Sequence, residues 1–205
     1  MTGFDHPDWE NLLRAVVAAS ADDVPRLVAA DWLDEHGQPE RAEFIRVQVE
    51  LARLETAGNG ATTAAEALRR KERTFLGPLA THRALWALEA CPELVRVEFR
   101  DRAVASLESM RVAGAERLTF RRGFVEAVLC PAADWLAHGG EVRARQPVRD
   151  VRLTDCDRLT PSQWFEILPT LDGLASARIS FADAGRIDWL REQLPDTIIQ
   201  PRPVR

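Results

Sequence analysis

From Trp9 to Ala90 the apolar residues recur at intervals of three and four, the period of a helix with one buried face. Trp9, Leu12, Leu13, Val16 and Val17 predict a first helix over Asp8 to Ser20, entered through His6-Pro7. A second starts near Val24, where Asp22 or Asp23 can cap it and Pro25 has no amide to lose. Leu27, Val28, Trp32 and Leu33 mark its apolar side, and Gly37, after His36, can turn left-handed to stop it. Pro39 opens a third helix along Phe44, Val47, Leu51 and Leu54, with Ile45, Val49 and Ala52 widening the stripe. So short a connection makes these two helices fold back on each other, because neither buries its stripe alone. A glycine- and threonine-rich loop follows from Thr56 to Thr63, then a helix from Ala64 to Leu76 and a shorter one from Thr81 to Ala90.

The texture then changes. Leu94, Val97 and Phe99 show the spacing apolar, two residues, apolar, one residue, apolar. It returns at Val125, Val128 and Cys130, at Val148, Val151 and Leu153, at Leu174, Ala177 and Ile179, and at Leu194, Thr197 and Ile199. First positions lie 31, 23, 26 and 20 residues apart, around the 20 to 29 residues of leucine-rich repeats but too uneven for a clean array. Amphipathic segments lie between: Val104, Leu107 and Met110; Trp135, Leu136 and Val142; Trp164, Phe165, Leu168 and Leu171; Ile187, Leu190 and Leu194. Strands alternating with helices predict parallel neighbours with helices on one side. Arg117 to Cys130 also reads as a hairpin through Arg121-Arg122-Gly123, and the pattern leaves both readings open. Gly139-Gly140 reads as a helix end, and Pro201 and Pro203 as the end of a last extended strand.

The segment RLVAADWLDEHGQPERAEFIRVQVEL, with RRGFVEAV at Arg121 to Val128, resembles the bacterial repeat-companion domain family. The likeness lies in Arg26, Leu27, Asp31, Trp32, Leu33, Gly37, Arg41, Glu43, Phe44, Ile45, Arg46 and Gln48, and covers Leu12 to Leu153. Ala30 departs from it, standing where the family usually shows an aromatic residue. The resemblance implies a helical start followed by leucine-rich-repeat-like segments, and it transfers no catalytic residues because no activity is assigned to the family. The expected fold is thus mixed α/β: a helical bundle over 1–90 capping a short, irregular leucine-rich-repeat-like array of parallel strands and helices over 91–205.

Composition narrows the function classes. With 205 residues, 46% hydrophobic and 29% charged, the chain has the make-up of an ordered globular protein. No apolar run approaches the ~18 to 20 residues of a membrane helix, and MTGFDHPDWENLL has acidic residues where a secretory signal is basic. A cytoplasmic protein without membrane contact is the expectation. Cys91, Cys130 and Cys156 are odd in number and widely spaced, which argues for buried thiols over a disulfide framework or zinc site. A net charge of −5 disfavours bulk coating of nucleic acid. Lys71 is the only lysine, so almost every cation is arginine.

Candidate chemistry is sparse. Asp31, Asp34, Glu35 and His36 suggest a metal or acid/base cluster, yet Glu35 and His36 point about 100° apart on a helix and no second histidine lies within a turn. The plainer expectation is a structural ion-pair network of Arg26, Asp31, Arg41, Glu43 and Arg46. If Asp31 pairs across the helices, removing it strands a partly buried arginine at a cost on the order of 3 kcal/mol. His6, His36, His82 and His138 are far apart, no serine sits in a nucleophile elbow, and no glycine run cradles phosphate. Arg121, Arg122, Arg143, Arg145, Arg149 and Arg152 are the candidate binding surface, set against a solvated face balanced by Glu126, Glu141, Asp150 and Asp155. The sequence therefore points to a non-enzymatic protein–protein interaction or scaffold module with a protein partner and no cofactor. The alternatives are a nucleic-acid-associated protein using the arginines and, last, a metal-dependent hydrolase at Asp31, Glu35 and His36.

Overall fold

The computed structural model describes residues 6–77, 81–99, 110–179 and 184–201. Five helices come first: α1 (Pro7–Ala18), α2 (Val24–Glu35), α3 (Pro39–Thr56), α4 (Thr63–Leu76) and α5 (Thr81–Ala90). Their starts follow local chemistry. Asp22 accepts from Val24 N–H at 2.9 Å, Pro25 and Pro39 occupy first turns, and Thr62 accepts from Ala65 N–H at 3.3 Å. Gly37, at φ +74°, supplies the left-handed residue that lets the chain reverse between α2 and α3.

Seven strands and three further helices follow among the described residues: β1 (Arg96–Phe99), β2 (Met110–Ala113), β3 (Leu118–Arg121), β4 (Phe124–Pro131), α6 (Ala132–Arg145), β5 (Asp150–Thr154), α7 (Pro161–Leu171), β6 (Ser176–Ile179), α8 (Ala184–Gln193) and β7 (Ile198–Pro201). The main sheet runs β3-β4-β5-β6-β7 in chain order. The β3–β4 pair is antiparallel and every later pair parallel. In register, Val128, Val151, Ala177 and Ile199 form one row, and Cys130, Leu153, Ile179 and Pro201 the next. The described members of these rows bury one face of the sheet against Trp135 and Val142 of α6, Trp164 and Ile167 of α7, and Ile187 and Leu190 of α8.

Four expectations change. Leu94, Val97 and Phe99 do not begin the parallel sheet: β1 pairs antiparallel with β2 in a separate two-stranded sheet. The reason is local. Arg122 and Gly123 adopt φ of +48° and +89°, the double left-handed turn of a tight hairpin, so β3 folds back and occupies the edge of β4 that a β1 neighbour would need. Met110 accordingly lies in β2, not in a helix, while Val104 and Leu107 lie outside the described residues. At the far end, Ile199 stands opposite Ala177, two places from the position the sequence spacing assigns it. Thr197 instead turns its hydroxyl to the carbonyl of Leu171 at 3.2 Å. Gly139 and Gly140 lie inside α6, because the indole of Trp135 folds across its own helix: a Cβ on Gly139 would come within 2.6 Å of that ring.

The helices and the sheet share their interior. Phe44, Phe75 and Trp86 belong to the cluster that lies under the sheet, and Phe124 of β4 belongs to the cluster of Trp9, Ala29, Leu33 and Ile45. At the seam, Gln48 of α3 donates to Phe120 O at 3.1 Å and accepts from Gly123 N–H at 2.8 Å, so its amide stands in for a strand on the outer side of the hairpin.

Candidate functional site

One site binds helices to hairpin. Phe120 pairs with Val125 and Thr119 with Ala127, which leaves Glu126 as an extra residue, a bulge that turns its carboxylate out of the ladder. There it accepts from Arg26 Nη2 at 2.8 Å and from Arg122 Nη2 at 2.7 Å and Nε at 3.1 Å. Arg26 also donates to Ser20 O at 2.8 Å and lies over the Phe124 ring. Burial pulls its pKa down to about 10, against the opposing pull of Glu126. These are anchoring contacts, with the buried charge held by partners from three segments.

The expected ion-pair network of Arg26, Asp31, Arg41, Glu43 and Arg46 is not brought together. Arg46 forks to Asp31 at 2.8 Å and Asp34 at 3.0 Å on the exposed side of the α2–α3 pair. Glu43 pairs with Lys71 of α4. Arg41 is buried among Trp86, Phe120 and Phe44, its guanidinium 4.6 Å from the Trp86 ring centre. Burial lowers its pKa to about 10, partly offset by Glu89. The carboxyl of Glu89 is pushed up by burial to about 7, partly offset by Arg41. His36 stacks on Trp32 with ring centres 3.8 Å apart and bonds the Trp32 carbonyl at 2.7 Å through Nδ1. Among the described residues no three His, Cys, Asp or Glu side chains gather as a metal-ligand set. The Cys91 and Cys130 thiols are pushed up to about 12 by burial, out of reach of thiolate chemistry at neutral pH.

The arginine surface divides likewise. Arg122 is held in the hairpin seam, Arg143 of α6 donates to Thr170 O and Asp172 O, and Arg145 pairs with Glu93. Arg149 and Arg143 line a cavity at the leading ends of the strands. Only Arg121 and Arg152 of the six lie on the sheet face that α6, α7 and α8 leave uncovered. There they meet two arginines that sequence reasoning did not single out, Arg117 and Arg178, around a depression of about 300 Å³ that Thr119 and Asp150 also line. Strand alternation builds this face: the residue between the second and third apolar positions of each unit points away from the core. That position holds Leu129, Arg152 and Arg178, in one row across β4, β5 and β6. Its period-two signal was present in the sequence, but only the strand register shows that the two arginines are neighbours.

In the row behind, Asp150 is fixed by Arg121 Nη1 at 2.7 Å and by the Ser176 hydroxyl. The face thus offers guanidinium donors, two hydroxyls, the pinned carboxylate of Asp150 and the carboxylate of Glu116: groups that bind and orient.

No family model matches the chain, and neither a curated protein nor a solved structure does. What the site can do therefore follows from its own geometry. No described helix is long and apolar enough to cross a membrane.

Proposed function

We propose that the chain is a non-enzymatic docking module, a member of the repeat-companion family in which a helical cap closes a short, irregular leucine-rich-repeat-like array, and that a protein partner sits on the uncovered sheet face. The observation that carries this reading is the depression lined by Arg117, Arg121, Arg152 and Arg178, with Arg152 and Arg178 register partners on β5 and β6, opposite the helix-covered side. Stacked strand-and-helix units present an extended surface, a geometry for holding macromolecules rather than enclosing a small substrate. The sequential strand order, the two apolar rows and the closing of the β3 edge by Gln48 support the array-and-cap part.

The test places a photo-crosslinking residue at Thr119, on the face, and separately at Phe165, exposed on the helix side. The expected result is one discrete protein adduct from Thr119 only, whose purified partner binds the chain with fixed stoichiometry. A nuclease-sensitive adduct at Thr119 would replace this reading with nucleic-acid association, and matching adducts from both positions would remove the assigned face.

A further inference from the structure

We propose that the Asn59-Gly60 pair, in the turn between α3 and α4, is a site of spontaneous deamidation in the folded chain, and that Thr62 promotes the reaction. The chain has two asparagines, and only Asn59 is followed by glycine. The backbone before it is fixed. Gly58, at φ +76°, and Asn59 close the end of α3 by donating their N–H groups to Glu55 O at 3.1 Å and Leu54 O at 2.8 Å. Asn59 O in turn accepts from Thr62 N–H at 3.2 Å and from the Thr62 hydroxyl at 2.8 Å. The two groups that must react with each other are left over. The exposed side-chain amide of Asn59 and the N–H of Gly60 have no hydrogen-bond partner among the described residues.

The Gly60 nitrogen becomes the nucleophile once its proton passes to hydroxide. The negative charge then spreads onto Asn59 O, where both Thr62 donors already point, and hydrogen bonds to a charged oxygen are the stronger ones. The nitrogen attacks Asn59 Cγ. A new C–N bond closes a cyclic imide, the bond to the side-chain nitrogen breaks, and that nitrogen leaves as ammonia with a proton from water. One water molecule then opens either imide carbonyl, giving aspartate or isoaspartate with no change of oxidation state. Glycine permits the approach, because it carries no Cβ beside the attacking nitrogen. Asn11 lacks each of these features: it lies inside α1, precedes Leu12, and its side chain accepts from Arg14. Either product sets a negative charge ahead of the first turn of α4, and isoaspartate also adds a backbone atom to the turn that Thr62 closes.

The test incubates the intact chain in mildly alkaline buffer, digests it and reads the peptides by mass spectrometry. The peptide holding Asn59 should gain, with time, the mass difference between a hydroxyl and an amino group and separate into aspartyl and isoaspartyl forms, while the Asn11 peptide stays unchanged. Gly60→Ala should slow the gain roughly tenfold, and Asn59→Gln, whose ring closure needs one more atom, should abolish it. Thr62→Val keeps the N–H and loses the hydroxyl; it should slow the gain about fivefold, and Thr62→Ser should restore the parent rate. Because Thr62 also caps α4, the same rates are taken in denaturant, where the parent and Thr62→Val should react alike. No mass gain in the folded chain, or an equal gain at Asn11, overturns the site. A folded-state rate for Thr62→Val equal to or above that of the parent overturns the role of Thr62.

Discussion

Glu126 and Asp31 are both acidic residues paired with arginine, and their surroundings give them very different weights. The Glu126 carboxylate and the Arg26 guanidinium are almost wholly buried, at 3% and 0% side-chain exposure, whereas Asp31 is 70% exposed. Replacing Glu126 by alanine leaves two arginines in the seam without their shared anion and should cost about 3–5 kcal/mol. Asp31→Ala should cost less than ~1 kcal/mol, well below the figure that a half-buried network would imply. Chemical denaturation of the two variants beside the parent chain separates these values, and equal small losses would show that the seam does not depend on its ion pair. Glu89 gives a pH signature. Burial holds its carboxyl protonated up to about pH 7, above its unfolded value of 4.5, so its contribution is complete below that lower pH and is lost as pH rises through about 7. Arg41 of α3 faces it, and Glu10 and Arg14 of α1 and Arg145 of α6 line the adjoining cavity. Allowing for its partial exposure, Glu89→Gln should match the parent near pH 4 and exceed it by on the order of 2 kcal/mol near pH 8. A stability difference that stays flat across that range would contradict the assignment.

Among elements, the β3–β4 hairpin decides the arrangement. Its turn needs two residues with positive φ, and the second must also lack a Cβ, since one on Gly123 would lie 2.3 Å from Ile45 Cγ1 of α3. Gly123→Ala should therefore push α3 away from the hairpin and destabilise the chain by more than ~2 kcal/mol, with the largest loss of amide-exchange protection in α3, β3 and β4. Unchanged protection there would mean that the contact yields at little cost. The helices were legible because each carries its own period and its own caps, as Pro25, Gly37 and Pro39 show. The bulge at Glu126 was not legible, and the sequence set Glu126 on a solvated face where the structure buries it. The bulge is the physical source of the two-residue gap between Val125 and Val128, which in the sequence looks like a repeat spacing. Leu94-Val97-Phe99 has the same spacing but a different partner, because strand pairing is settled by which edge is open and not by the strand's own residues.

For the molecule as a whole, the change of texture near residue 90 separates two topologies that share one interior. Phe44, Phe75 and Trp86 are packed under the sheet, and Phe124 is packed among the first helices. Residues 1–90 and 91–205 made separately should each expose this surface and fail to unfold cooperatively, while the full chain should show one transition by circular dichroism and by tryptophan fluorescence. Two separable transitions in the full chain would contradict the shared core. The sequence by itself determined what depends on neighbours along the chain: the starts and stops of the first five helices, the alternation of strand and helix from β4 onward, and which side of those strands is apolar. The tertiary structure alone decided what depends on distance: that Arg26 and Arg122 meet on Glu126, that the six candidate surface arginines do not form one surface, and that Arg152 and Arg178 stand side by side. The physical reason is that periodicity records the direction of a side chain, whereas charge and hydrogen bonding act between groups that come together only once strand order and register are set.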